Sequence, residues 1–507
     1  MVSTFAASRN RLILGVCLPL AVLLGYLLAE PLESSSLAVV VMVLSVLVVP
    51  LLMRWHHPLL IVSWNAAITP FFFPGRSAIW VLMAFVSLFF GILGRSVSSA
   101  NRFLQEPRLT RSLLGLLGVV GITACMTGGI GMASLGAESS YGGSGYFYLL
   151  AATVGYFALT SRPIPRPRAQ LYVALFFLSG LTAIISHLAF VAGPRFWFLY
   201  DLFPVELAMD QALAQGAAGP SVVRINGFVQ AAPALYCFVL ARYGIRGLFD
   251  LTRPWRMGLV LVAVFASLFG GFRSTLVLLG LMFVILFLIE GLWRTRFLWI
   301  VLFSGVVVAG AFLPFVDKMP LSVQRTVSFL PLDVDPWVKL GAQDSTTWRL
   351  EMWRTLLPDV PKYLFKGKGY AINAKELLLI TDAITRGDLK ATESLAFSGQ
   401  YHNGPLSVVI PFGIYGLAAF IWFLGAGVRV LYRNYRQGDL ELRRVNAFLL
   451  AVFIARIVNF VFIFGAFSSD LYYFTGLLGL GVALNGGAGQ RDERNRMASD
   501  GFEPERE

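Results

Sequence analysis

The chain has 507 residues, of which 57% are hydrophobic and only 14% charged, and its mean hydropathy is +0.71. Soluble domains lie nearer about 45–50% apolar and 25% charged, so an ordinary soluble protein is excluded. The net charge of +13 does not mark a nucleic-acid binder, because most basic residues sit in short loops between apolar runs, where they orient a membrane protein.

Those runs fall at 12–29, 37–53, 58–73, 77–94, 112–134, 145–161, 170–192, 227–243, 257–271, 273–290, 297–316, 404–430, 445–466 and 469–486, fourteen in all. Each reads as a spanning helix, the element that satisfies its own backbone in lipid. The first follows a basic start, as in a signal peptide, but no small-residue cleavage site is evident, so it is expected to span. Arg54, His56 and His57 separate the second run from the third, and the two histidines are read as marking the membrane surface. Cys17, Cys125 and Cys237 sit inside apolar runs, have no metal spacing, and are expected to pack in the core. His187 also lies within a run and reads as a packed residue. One helix over 257–290 would be about 50 Å long, too long for a core of roughly 30 Å, so Gly270-Gly271 is expected to break it into a tight hairpin.

With the N-terminus cytoplasmic, arginines gather in alternate connections. Examples are Arg95, Arg102, Arg108 and Arg111, and Arg429, Arg433, Arg436, Arg443 and Arg444. The intervening short loops are nearly bare, as the positive-inside rule requires. Both termini are then cytoplasmic, and two longer segments, 193–226 and 317–403, lie outside. In the second, Asp344-Ser345 predicts a helix start with Ser345 as N-cap, running over 347–357 and stopped by Pro358. Gly367-Lys368-Gly369 predicts a turn and 373–381 another short helix. The expected architecture is an all-α polytopic membrane protein of about 12–14 transmembrane helices. Residues 1–316 form N-terminal membrane helices, 317–403 one large, partly helical periplasmic loop domain, 404–486 C-terminal membrane helices, and 487–507 a disordered cytoplasmic tail.

Three helices that run inward start at the outer face beside a cationic or titratable side chain. Arg224 precedes a start at Gly227, Arg273 opens the helix after Gly271, and His402-Asn403 precede a start at Gly404. Helix starts present free N–H groups and positive dipole ends, so three together could form an anion site, and a lipid-linked diphosphate is the natural anion there. Arginine suits it, since its planar fork grips two phosphate oxygens. Arg349 shares a helix face with Trp353, four residues on, while Trp348, Met352 and Leu356 form a second, apolar stripe. His402, at the outer rim, can take a proton from a sugar hydroxyl near neutral pH. Each residue also has a plainer reading: a snorkelling anchor for Arg273, or a surface ion pair for Arg224 and Arg349. Arg456, inside a run, is expected to pair with another helix or face a polar cavity. Asp333-Val-Asp335, between two prolines, reads as solvated loop, so neither metal nor other cofactor is expected.

In order along the chain, Arg224-Ile-Asn-Gly227, Gly271-Phe-Arg273-Ser-Thr, Thr347-Trp-Arg349-Leu-Glu-Met-Trp353 followed by Lys366-Gly-Lys-Gly369, and His402-Asn403-Gly404 followed by Gly413-Ile-Tyr-Gly416 resemble the O-antigen ligase and O-antigen polymerase superfamily over roughly 170–480. The resemblance implies a glycosyltransferase in the bacterial inner membrane that makes cell-surface polysaccharide. Its donor would be an undecaprenyl-diphosphate-linked glycan, its acceptor a lipid or glycan hydroxyl, and its surroundings membrane lipids. Arg273 and Arg349 would then bind the donor diphosphate, His402 would activate the acceptor, and Arg224, Asn403 and Trp353 would complete the substrate site. Ligase, polymerase and protein O-oligosaccharyltransferase all remain open, and the rival class is a transporter or flippase that binds an anionic substrate without chemistry.

Overall fold

The computed structural model describes residues 34–97, 103–104, 106–129, 143–209, 222–371 and 401–487, with residues 19, 22 and 25. Most of the first apolar run, the helix expected over 373–381 and the tail after residue 487 lie outside these. The described residues form helices and no strand: α1 Ser34–Ser63, α2 Ile79–Val97, α3 Pro107–Thr127, α4 Gly143–Leu159, α5 Ala169–Leu178, α6 Ile184–Ala192, α7 Gly227–Leu248, α8 Trp255–Phe269, α9 Arg273–Ile289, α10 Phe297–Phe312, α11 Leu321–Val327, α12 Pro336–Leu356, α13 Val360–Tyr363, α14 Gly404–Gln437, α15 Arg443–Phe462 and α16 Phe467–Asn485. Seven stretches among the described residues are long and apolar enough to cross a membrane: α2, α3, the α5–α6 unit, α7, α10, α14 and α15, with α8 and α9 as shorter apolar helices.

One apolar core joins α1–α5, α7–α9 and α14–α16. The most extensive contacts are of α16 with α4, α14 with α3 and α15, α7 with α8, α2 with α4, and α9 with α15. By contrast, α10 is apolar all round and has no buried residue, as expected of a helix covered by lipid rather than protein. Phe269 ends α8 and Arg273 opens α9, so the hairpin at Gly270-Gly271 forms as the length argument requires.

Four expectations are corrected. α1 is one continuous helix where the pattern divided it at 54–57. His56 and His57 are buried, not interfacial. His56 Nδ1 lies 2.8 Å from Ser87 Oγ, and His57 Nε2 lies 2.8 Å from the Leu159 carbonyl. Each ring thus has one nitrogen held inside the bundle, although His56 Nε2 is buried without a partner, so the polar pair need not mark an interface. Cys237 is buried, but Cys125 is exposed on α3. Lastly, the helix carrying Arg349 starts at Pro336, not after Ser345. Asp335 caps it, with Oδ1 accepting from the Trp337 N–H at 2.8 Å. Asp followed by Pro at the first helical position is a stronger start signal than a mid-helix serine. Its C-terminal stop, ahead of Pro358 in the 3-10 turn Leu357–Asp359, is as predicted.

The turn Gly367-Lys368-Gly369 forms, with both glycines at positive φ, and it locks the outer segment to α14. Pro411 and Gly413 (φ 65°, ψ −163°) interrupt α14. The Ile410 and Pro411 carbonyls accept from Lys368 N (2.8 Å) and Gly369 N (2.9 Å), while Ile414 N donates to the Leu364 carbonyl at 2.7 Å. Proline removes one helical donor and glycine supplies the left-handed turn, so the freed backbone groups are satisfied by another segment.

α16 passes just beyond the end of α1, where Gly476 meets the buried Trp64 indole, and a methyl group there would collide with the ring. Gly476→Ala is therefore expected to destabilise the protein by about 1–3 kcal/mol through overpacking. Thermal unfolding in detergent should show a lower midpoint, and an unchanged midpoint would mean that this contact is loosely packed.

Candidate functional site

The starts of α7, α9 and α14 gather at one end of the bundle, and α11 and α12 pack across it. Gly271 has φ +70° and lies under the Arg224 side chain: a Cβ there would come 3.0 Å from Arg224 Cγ. Glycine thus serves twice, permitting the backbone turn and the passage of the arginine stem. The Arg224 guanidinium ends 5.1 Å from the centre of the Phe272 ring, within cation–π range.

Arg273 Nη2 donates to the Ala342 carbonyl of α12 at 2.8 Å. Arg349 stands seven residues, two helical turns, beyond Ala342, so it lies on the same face of α12. Docking α12 on Arg273 therefore aims Arg349 at the same region. A fourth guanidinium joins them from α11: Arg325, whose Nη2 reaches the Gly341 carbonyl at 3.4 Å. Burial, with Arg224, Arg273 and Arg349 adding to it, pushes the Arg325 guanidinium down to about 10. Arg349 is lowered too, by burial and then by Arg273, and its Nε is buried without a hydrogen-bond partner. Among the described residues none of the four is in an ion pair. Four like charges held together raise the energy of the empty site and favour an anion.

His402 stands beside this cluster in the left-handed region, at φ 46°, a conformation that costs a non-glycine residue of order 1–3 kcal/mol. Its ring lies 5.4 Å from that of Trp348 and 5.2 Å from that of Phe464. Burial lowers its pKa from the ordinary 6.5, and the Arg349 charge lowers it further. The imidazole is thus neutral and able to accept a proton at neutral pH. Asn403 caps α14, its Oδ1 accepting from the Leu406 N–H at 3.0 Å. Trp353 donates its indole N–H to the Tyr401 carbonyl at 3.1 Å, so both residues flanking His402 are held by neighbours. The apolar stripe packs as expected: Met352 and Leu356 bury against Ile410 and Tyr401, with Trp348 and Leu406 beside them.

Arg349 and His402 rim a cavity of about 570 Å³ between α5, α7, α9, α15, α16 and the residues just after α1. Its walls carry Asn65, Gln230, Asn459 and Asp470 beside Trp64 and Tyr473. Arg456 faces this cavity, and its guanidinium stacks over Tyr473 at 3.8 Å, so the polar-cavity alternative holds. Asp470 is occupied by the Ala466 N–H at 2.7 Å. Further along the same helices, Leu240, Leu286, Phe448 and Leu480 are buried to within 1%, so packed core closes the space below. Arg224, Arg273, Arg349 and His402 are thus brought together from four separate sequence positions. Asn403 and Trp353 are at the site through contacts with the protein, and Arg325 joined it without a motif. Asp335 is a helix cap, and no group of three or more His, Cys, Asp or Glu that could hold a metal occurs among the described residues.

Fold and cavity define an all-α polytopic membrane protein with a cationic pocket at one end of its bundle. Residues 258–421 match the family described as O-antigen ligase, the superfamily that the sequence motifs resemble. The matched stretch carries Arg273, Arg325, Arg349 and His402, and the match supports a membrane glycosyltransferase role in polysaccharide synthesis. No curated protein is significantly similar to the chain.

Arg349→Gln removes the second cause of the His402 shift and leaves the first. The His402 pKa should therefore rise toward, without exceeding, the ordinary 6.5. Histidine NMR titration, with His402→Gln assigning the resonance, checks this; a fall or no movement would place the two side chains out of electrostatic reach.

Proposed function

We propose that the protein transfers a glycan from undecaprenyl diphosphate to an acceptor hydroxyl at the outward face of the bacterial inner membrane, without a metal ion. One observation carries the reading: four guanidiniums without a carboxylate partner among the described residues converge beside a neutral imidazole. A diphosphate offers the oxygens that such forks grip in pairs. The N-termini of α7, α9 and α14 add their dipoles.

With the diphosphate on Arg224, Arg273, Arg325 and Arg349, the first sugar enters the cavity. Its hydroxyls meet Asn65, Gln230 and Asn459, and its ring faces Trp64 or Tyr473. The acceptor oxygen attacks the anomeric carbon from the side opposite the diphosphate. That C–O bond forms as the bond to the diphosphate oxygen breaks, and the acceptor proton passes to His402. The leaving diphosphate keeps the bonding pair, and the arginines stabilise the charge that grows on it. Preorganised charge of this kind is often the largest catalytic contribution. The strained backbone at His402, fixed by the Asn403 cap and the Trp353 bond to Tyr401, fits a residue held for proton transfer. Transport would instead need a path through the midplane, and the packed layer below the cavity supports chemistry over passage.

The test supplies purified full-length protein with a lipid-diphosphate glycan and, in parallel, lipid-linked and lipid A-core acceptors, and measures undecaprenyl diphosphate released. His402→Ala should slow release about 10²–10⁴-fold, the usual worth of a general base. Arg325→Ala should slow it about ten- to a hundredfold, the worth of one charged hydrogen bond. Wild-type rates in both variants would remove the site assignment.

A further inference from the structure

A second cationic pocket lies at the opposite end of the bundle. α3 and α14 are in contact along much of their length, close enough that a Cβ on Gly115 would come 3.1 Å from the Trp422 ring. Away from His402, Arg108 and Arg111 from the first turns of α3 face Arg429, Arg433 and Arg436 from the last turns of α14 across a cavity of about 590 Å³. The spacings i, i+3 on α3 and i, i+4, i+7 on α14 put each set on one helix face. One carboxylate stands among them, the buried Glu106, and it is bonded to Arg433. Arg108, Arg111, Arg429 and Arg436 have no ion-pair partner among the described residues. Pro107 at the first helical position leaves the following N–H groups of α3 at the mouth, adding the positive dipole end.

A lone interfacial arginine extends to water, whereas several turned toward one cavity repel each other unless an anion sits among them. The bilayer-facing flank beside them is apolar: Leu114 is 48% exposed, Ile421 59% and Trp422 53%. Gly118, Gly121 and Gly425 have open space where a side chain would stand, leaving shallow hollows along the same two helices. We propose that this pocket binds a membrane lipid carrying two phosphates, of the cardiolipin type, with the phosphates on the arginines and the acyl chains along α3 and α14. Basic pockets between membrane helices hold such headgroups. Free phosphate shares the headgroup chemistry, but has no use for the apolar flank.

Native mass spectrometry of the full-length protein in detergent tests this, with cardiolipin, phosphatidylglycerol, phosphatidylcholine and inorganic pyrophosphate in separate arms. One cardiolipin should be retained by the wild type, with phosphatidylcholine and pyrophosphate lost. Phosphatidylglycerol, with one phosphate, should bind at least tenfold more weakly. R108Q/R111Q/R429Q/R436Q should lose cardiolipin at least tenfold, while R253Q/R294Q/R296Q, which removes exposed arginines outside the pocket, should keep it. If the quadruple variant does not fold, R108Q/R111Q, which leaves the Glu106–Arg433 pair intact, is read in the same way. Wild-type retention by the pocket variant would overturn the site. Equal binding of phosphatidylglycerol would overturn the two-phosphate assignment, and retained pyrophosphate would overturn the lipid one.

Discussion

The repulsion among Arg224, Arg273, Arg325 and Arg349 is the constraint around which the rest is arranged. Such a cluster persists only where other interactions hold it, and here the protein supplies backbone carbonyls rather than carboxylates. Ala342 accepts from Arg273 and Gly341 from Arg325. Carbonyls orient a guanidinium without cancelling its charge, so the positive field remains directed at the cavity mouth. A carboxylate in their place would have neutralised it and competed with a phosphate for the same N–H groups.

That arrangement needs the segment after α10 to dock rigidly on the membrane helices, and the break in α14 provides the anchor. A regular helix through 410–414 would consume its own carbonyls. With Pro411 and Gly413 it lends two of them to Lys368 and Gly369 and takes one back through Ile414. The helix that starts just after His402 therefore also grips the loop that follows Arg349. The positions of His402 and Arg349 are thus coupled through backbone hydrogen bonds, a stiffer link than side-chain packing alone.

Much of this was legible in the sequence, and the exceptions have physical reasons. The starts at Gly227, Arg273 and Gly404 were readable because glycine beside a polar residue interrupts an otherwise apolar run, and the run itself supplies the register. Arg349 and Trp353 were placed on one face by helical spacing alone. Arg325 was not readable: it lies in a seven-residue helix with no motif, and its importance comes from three arginines remote in sequence. Ser345 misled because a good capping residue is only a cap if nothing upstream starts the helix earlier, and Asp335-Pro336 does. His56 and His57 looked interfacial because their partners, Ser87 and Leu159, are contributed by other helices. Trp353 and Asn403 were linked to the site, but the bonds they make to Tyr401 and Leu406 depend on tertiary placement that spacing does not encode.

In the proposed mechanism diphosphate binding and proton transfer fall to different side chains, and an equilibrium measurement separates the two most directly. Binding of undecaprenyl diphosphate to the purified protein should be weakened at least tenfold by Arg273→Gln/Arg325→Gln and left near the wild-type affinity by His402→Ala, since in the proposed mechanism the neutral imidazole acts on the acceptor. Equal affinity in the arginine double variant, or loss of binding in His402→Ala alone, would contradict the account.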